Sequence, residues 1–379
     1  MKKYFFFAAC ASVAFASCVN DVPDAPVNDE QHAITFDVPV VQPNSRTQTE
    51  VGTDYTNGGD FKVSAWYFKD GTYVSGADNG QLFMENIQVT KDGGIYKQKD
   101  KTYYYPKNGS LTFIAYSPAN LSDYTDGGVT VNKANGITIT GYTANGITNG
   151  NEQDDILFSE RRYNQNEGTV SILFNHALSS IRFAASTDQD YSSSATITIR
   201  NIELVDVFSK GTFTQNLDDE NGKYTKTPVR VAKYDNAQGL DETQKIMVNN
   251  MSQDEAAWSA SAKINYSIST IPTEGKPLGT SAYTPTTGDR KTDLLLIPQE
   301  FADQTLVVTY DVDVTATPGD DFPNQKYMIK FKDLHSTIDK EWMMGYRYTY
   351  DIIISLNEIT FKPTVEAFLN ASQSLDLDE

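Results

Sequence analysis

From Ile34 onward the apolar residues recur with a period of two. Ile34, Phe36, Val38 and Val40 alternate with Thr35, Asp37, Pro39 and Val41, which puts one set of side chains on each face of an extended strand. The pattern returns at 61–68, 110–116, 136–140, 170–174, 180–184, 195–207, 294–297, 305–314, 327–331 and 346–356 and predicts strands there. Asn57-Gly58-Gly59-Asp60, Lys91-Asp92-Gly93-Gly94, Asp126-Gly127-Gly128 and Asn149-Gly150-Asn151 separate runs with residues that tolerate positive φ. The spacing therefore predicts an all-β chain, with Asp333–Met344 the best candidate for a short helix. No solenoid or propeller repeat and no heptad pattern is present. Strands are numerous enough on each side of the polar stretch Glu160–Gly168 to close a sandwich each, so two antiparallel β-sandwiches are expected in tandem, over residues 33–165 and 166–379.

The first residues follow another pattern. Lys2 and Lys3 precede an apolar run from Tyr4 to Phe15, then Ala16, Ser17 and Cys18. A charged start, an apolar segment too short to span a bilayer and small residues before a cysteine read as an export signal ending in a lipobox. Phe15 stands where Leu is usual in such a motif. Residues 1–17 are then a lipoprotein signal peptide, Cys18 takes the diacylglyceryl group, and the acidic, proline-containing residues 18–32 form a tether. The alternative is ordinary secretory cleavage with Cys18 an incidental thiol. Cys10 lies inside the apolar segment and Cys18 is the other cysteine, so an exported chain has no intramolecular disulfide to form.

Charge narrows the function. The 379 residues carry 31 Lys and Arg against 50 Asp and Glu, a net charge of −19. Loss of Lys2 and Lys3 with the signal leaves 29 against 50, or −21. Such a chain lacks the clustered cations that phosphate backbones or anionic headgroups require, so nucleic acid is not an expected partner. His32, His176 and His335 fit no metal-ligand spacing, and His176 reads as a hydrogen-bonded structural residue at a strand end. No nucleophile elbow, P-loop or dinucleotide fingerprint occurs. We expect no catalytic residue, cofactor or metal. Two other classes stay open. The runs Trp66-Tyr67-Phe68 and Tyr103-Tyr104-Tyr105, with acidic turns, suit a surface-anchored carbohydrate-binding lipoprotein, although adjacent strand residues point to opposite faces. Dispersed carboxylates such as Asp154-Asp155 and Asp320-Asp321 suit an exported glycosidase.

The order of several pieces carries a family resemblance. A lipobox at Cys18 is followed by the strand Ile34–Val41 and Ser45-Arg46-Thr47. Then come Phe61-Lys62-Val63-Ser64-Ala65-Trp66-Tyr67, Tyr104-Tyr105-Pro106 and Leu111-Thr112-Phe113-Ile114-Ala115-Tyr116-Ser117-Pro118. Asp155-Ile156-Leu157, Val170 to Phe174 with His176-Ala177-Leu178-Ser179, Leu296-Ile297-Pro298-Gln299, and Trp342 with Gly345-Tyr346-Arg347-Tyr348-Thr349-Tyr350 complete the series. Together they resemble the fimbrillin superfamily, the lipoprotein-derived type V pilins, with Tyr105 where the family usually carries Trp. The resemblance implies two transthyretin-like sandwiches, a lipidated precursor at the outer membrane surface, and other fimbrial subunits and a surface receptor as partners. It also implies removal of the first strand by an arginine-specific protease, after which the groove accepts a strand from the next subunit.

Residues of this chain can be set against that scheme. Arg46 lies in the polar stretch Pro43–Gln48 just past the first strand, where a protease needs an accessible backbone. A cut there releases Ile34, Phe36, Val38 and Val40 together. Near the C-terminus Ile359, Phe361, Pro363, Val365, Ala367 and Leu369 alternate with mostly polar residues, and Ile359-Thr360-Phe361 repeats Ile34-Thr35-Phe36. This segment is either a donor strand or the last strand of its own sandwich, turned at Asn357-Glu358. In the second case the chain has no spare donor and is a tip or anchor subunit.

Overall fold

The computed structural model describes residues 32–38, 41–42, 59–71, 73, 80–134, 136–144, 155–216, 255–268, 271–285, 293–315, 321–335, 340–356 and 358–367. The first half contains β1 (Thr35–Asp37), β2 (Val41–Gln42), β3 (Phe61–Phe68), β4 (Gln81–Asp92), β5 (Ile95–Gln98), β6 (Ser110–Ser117), β7 (Val129–Asn132), β8 (Gly136–Thr143), β9 (Leu157–Ser159), β10 (Arg162–Gln165), β11 (Thr169–Ser171) and β12 (Phe174–His176). The second contains β13 (Ser179–Thr187), β14 (Ala195–Asn216), β15 (Glu255–Ser267), β16 (Lys276–Pro277), β17 (Leu294–Leu296), β18 (Gln299–Glu300), β19 (Thr305–Val314), β20 (Phe322–Lys330), the helical turn α1 (Phe331–Leu334), β21 (Glu341–Trp342), β22 (Tyr346–Ile354) and β23 (Ile359–Ala367). The chain is all-β, as its period predicts.

A ten-stranded sheet runs β11-β1-β5-β4-β3-β6-β9-β12-β2, with β10 beside β6. Because β1 and β2 are one segment, and β11 and β12 another, the order returns on itself. β1 runs parallel to β11 and β2 to β12, with Phe36 opposite Val170 and Val41 opposite Phe174, while Phe36 also faces Tyr96 of β5. A four-stranded sheet (β17-β13-β22-β23) and a seven-stranded sheet (β20-β19-β14-β8-β7, with β15 and β16 on β14) form the rest, with a small β18-β21 pair. Most pairs are antiparallel; β1-β11, β2-β12 and β13-β22 are parallel. Pairing also crosses the Glu160–Gly168 stretch, since β11 and β12 bond to β1, β2 and β9, which precede it.

Period-two patterning explains three cores. On β3 and β6, Phe61, Val63, Ala65 and Tyr67 with Leu111, Phe113 and Ala115 point into the closed sheet, whereas Trp66, Phe68, Ile114 and Tyr116 point outward. The outward set meets Ile137 and Ile139 of β8 and Phe213 of β14, a second core between sheets. A strand buried on both faces reads as a continuous apolar run, so the run Trp66-Tyr67-Phe68 is shared between two cores. The third core joins β13, β14, β19 and β22. In β14 its inward residues are Ile197 and Ile199, then Ile202 and Leu204, then Val207. Irregularities between Ile199 and Asn201 in the pairing with β19, and between Leu204 and Val207 in the pairing with β15, each insert one residue and switch the inward parity.

The helix expected over Asp333–Met344 is a correction. One turn, Phe331–Leu334, is helical and Glu341–Trp342 is extended against Gln299–Glu300. Phe331 and Trp342 meet at 4.9 Å and both rings are buried; Trp342 donates to the Tyr350 hydroxyl at 2.7 Å, and His335 Nε2 lies 2.6 Å from the same oxygen. Drawing these side chains into one core overrides a weak helical pattern. The strands at 81–92 and 255–267 were not anticipated, because Gln, Asn, Lys and Ala weaken the alternation there.

A buried charge cluster fixes the order of the four-stranded sheet. Asp293, fully buried before β17, accepts hydrogen bonds from Ser180 at 2.9 Å, from Arg182 at 2.9 and 3.1 Å, and from Arg347 at 2.8 Å. These partners lie on β13 and β22. Asp293→Ala removes the buried carboxylate that Ser180, Arg182 and Arg347 share and is expected to cost about 3–5 kcal/mol, read as a lower denaturant midpoint.

Candidate functional site

The strand that closes the ten-stranded sheet is the one whose removal the family resemblance implies. Ile34, Phe36 and Val38 are buried in the closed sheet's core. The Phe36 ring meets Phe61 at 6.0 Å and Phe113 at 5.8 Å, both edge-on, and Phe61 in turn meets Phe174 and Tyr96 at 5.5 Å. Alternation places Thr35 and Asp37 on the other face. The Thr35 hydroxyl lies 2.9 Å from that of Thr169, and the Asp37 carboxylate, second to burial, raises the Tyr96 phenol above its ordinary pKa.

Backbone groups hold this strand on both sides. Ile34 N–H donates to the Tyr103 carbonyl at 2.8 Å, Tyr105 N–H to the His32 carbonyl at 3.0 Å, and Ile172 N–H to the Asp37 carbonyl at 2.7 Å. The buried Gln98 side chain donates to the Ile34 carbonyl at 2.9 Å. One face of the slot therefore offers main-chain donors and acceptors, and its floor offers apolar pockets. Removing Ile34, Phe36 and Val38 forfeits roughly 5–9 kcal/mol of apolar burial, comparable with the whole stability of a domain.

The walls have their own supports. The Tyr105 hydroxyl donates to the Gly168 carbonyl at 3.0 Å, just before β11. Burial, and then the Glu167 carboxylate, push its phenol far above the usual value, so it remains a donor. On the β12 side, His176 Nδ1 lies 2.5 Å from the Asp155 carboxylate and the imidazole is fully buried, which is the structural role expected of it. Sequence reasoning missed Gln98 and the partner of the wall strand 169–176, though it predicted the strand itself. The alternation of Val170, Ile172 and Phe174 was visible, but nothing local to it indicates a parallel partner more than a hundred residues away.

At the other end, Ile359–Ala367 is the outer strand of its own four-stranded sheet, paired with Tyr346–Ile354 throughout. Ile359 is buried, and Phe361 and Val365 are half-buried against the same core, with Phe361 5.5 Å from Tyr327. Ala367 ends the strand. Cys18, Arg46, Val40 and Leu369 lie outside the described residues. The aromatic runs do not form an exposed face: Trp66, Tyr67, Phe68, Tyr103 and Tyr105 are buried, and Tyr104 is half-buried.

The fold and slot together define an all-β protein in which a short N-terminal strand completes the core of a closed sheet. The chain belongs to the fimbrillin-like family, whose sequence profile matches residues 46–367. Among solved structures, it is similar to a fimbrial protein from Bacteroides vulgatus ATCC 8482, at 18% identity and a TM-score of 0.50, over 89% of this chain and 99% of that one. That likeness shows a shared fold. A C-terminally truncated form of the tip fimbrial protein Mfa3 from Porphyromonas gingivalis aligns at 10% identity with a TM-score of 0.32, over 89% and 99% of the two chains. No curated protein sequence matches this chain.

Phe36→Ala, which removes the ring at the centre of the slot, is expected to lower the stability of the uncut chain by about 3–5 kcal/mol, measured by denaturant unfolding.

Proposed function

We propose that this chain is a fimbrial subunit exported as a lipoprotein through Cys18, and that it polymerises by strand exchange after cleavage at Arg46. The observation that carries this reading is the position of β1: three inward apolar side chains complete a core, and the strand is joined to the rest of the sheet through the stretch containing Arg46. The family match begins at residue 46, so β1 and β2 lie outside the shared region. Once cut, the slot takes an extended segment by β-strand addition, with main-chain bonds giving affinity and alternate side chains filling the vacated pockets. Ile359, Phe361, Val365, Ala367 and Leu369 have the matching alternation to serve as donor. The chain is then a structural or adhesive component without catalytic function, carried first on the outer membrane and then in a fimbrium. We place its two transthyretin-like sandwiches in tandem; the sheets draw strands from both sides of the Glu160–Gly168 stretch, since β11 and β12 pair with β1, β2 and β9, and β8 pairs with β14.

A second reading has its own support. Ile359–Ala367 pairs over nine residues with β22, and a segment that stays there cannot donate. The chain would then accept a strand without offering one, as a tip or anchor subunit does.

Limited digestion of the lipid-free mature chain with an arginine-specific protease separates these readings. The new N-terminus is identified by mass spectrometry and size is followed by light scattering. Cleavage after Arg46 followed by growth into chains is expected. Cleavage without growth overturns polymerisation through this chain's own tail and favours the capping role; absence of a cut overturns the release of β1. Val38→Asp supplies a further check, because burying a carboxylate in the slot is expected to destabilise the uncut form by several kcal/mol, on the order of the cost of an unpaired buried polar group. Its effect on the cut form should be much smaller, and equal effects on both would contradict exchange.

A further inference from the structure

With most rings of the sequence's aromatic runs buried, the half-buried Tyr283 ring borders a surface groove. A groove of about 490 Å³ lies where the stretch 276–283 passes the turn between β13 and β14, and Asp190, Lys276, Gly279, Thr280, Ser281 and Tyr283 line it. We infer that this groove binds one pyranose ring of a neutral glycan. The volume is within the range of small-ligand pockets.

The stretch is held from both sheets. Lys276 and Pro277 pair with Ile199 and Thr198 of β14, and Leu278 N–H donates to the Ile197 carbonyl at 2.8 Å. On the other side Thr187 N–H donates to the Gly279 carbonyl at 2.9 Å, and Tyr283 exchanges two backbone bonds with Ala185, each 2.7 Å. A segment stapled to two sheets loses little freedom when a ligand arrives, which suits a weak, repeated contact.

The chemistry of the lining selects the ligand. Asp190 is exposed, and the backbone N–H and side chain of Ser192 hold its carboxyl below the ordinary value, so it accepts hydrogen bonds as a carboxylate. Lys276 makes no ion pair among the described residues and sits 5.7 Å over the Tyr283 ring. Thr280 and Ser281 add exposed hydroxyls. One anionic acceptor, one cationic donor and two hydroxyls are the groups that bond sugar hydroxyls, and the half-buried Tyr283 ring, beside Lys276, adds an apolar edge for the C–H face of a pyranose. A free anion would meet Asp190, and an apolar ligand would strip water from these polar groups without replacing their bonds.

Gly279 allows a clean test, because a Cβ there meets nothing within 4 Å and its φ is not in the left-handed region. Saturation-transfer NMR on the uncut chain would use methyl α-D-mannopyranoside, methyl β-D-galactopyranoside and methyl N-acetyl-β-D-glucosaminide as probes. At least one is expected to receive saturation on the ring protons of one face. Tyr283→Ala should weaken binding about two- to tenfold. Asp190→Asn, which keeps an acceptor for Ser192, should weaken it about tenfold or more, and Gly279→Phe should abolish it without shifting the unfolding midpoint. Absence of transfer to all three probes overturns the inference, as does transfer that survives both Gly279→Phe and Asp190→Asn. The uncut monomer is used, so neither result depends on strand exchange.

Discussion

Closure of the ten-stranded sheet by one short segment is the constraint on which the first half of the molecule depends. A sheet that closes has no edge, and every strand then finds partners on both sides. Here the closing piece is the N-terminal segment, which bonds to β5 on one side and to 169–176 on the other. Its location has two consequences. The side chains it contributes, Ile34, Phe36 and Val38, sit at the centre of the core rather than at its rim. Its chain connection leads directly to a polar arginine-containing stretch. Core side chains are thus carried by a short strand at the start of the described chain.

The second half depends on the length of β14. Twenty-two residues of strand span roughly 70 Å when extended, enough to serve two cores in succession. Its first part packs with β19 and β22, and Phe213 near its end packs 4.9 Å from Phe158, beside β8 and the outer face of β3 and β6. Arg161 adds a polar link on that side. Its guanidinium lies 4.5 Å from the Tyr73 ring centre and donates to the Lys133 carbonyl at 2.7 Å and the Ala134 carbonyl at 3.2 Å. Hydrophobic packing and a desolvated Arg contact thus couple the closed sheet to the seven-stranded one.

Strand existence was readable where alternation is strict. Phe61–Phe68 and Thr305–Val314 have the expected bounds, and Gly93-Gly94, both at positive φ, makes the two-residue turn between β4 and β5. The inward set of the first strand was readable too, because alternation gives facing directly. Its partners were not. Parallel pairing with 169–176 joins residues separated by more than a hundred positions, and period two is blind to which strand lies alongside.

By itself, then, the sequence determined the all-β class, the inward faces of most strands, the family's ordered motifs and the strongly acidic surface, since each follows from local periodicity or residue count. Tertiary structure alone decided that the run Trp66-Tyr67-Phe68 is core, because a strand covered on both faces buries both parities. It alone brought Tyr283, Lys276 and Asp190 to one groove, because that meeting depends on two sheets capturing the same stretch of chain. It also decided that Asp333–Met344 is mostly not helical, because the buried contacts of Phe331, Trp342 and Tyr350 outweigh a local preference worth only tenths of a kcal/mol per residue, on the order of ordinary helix propensities.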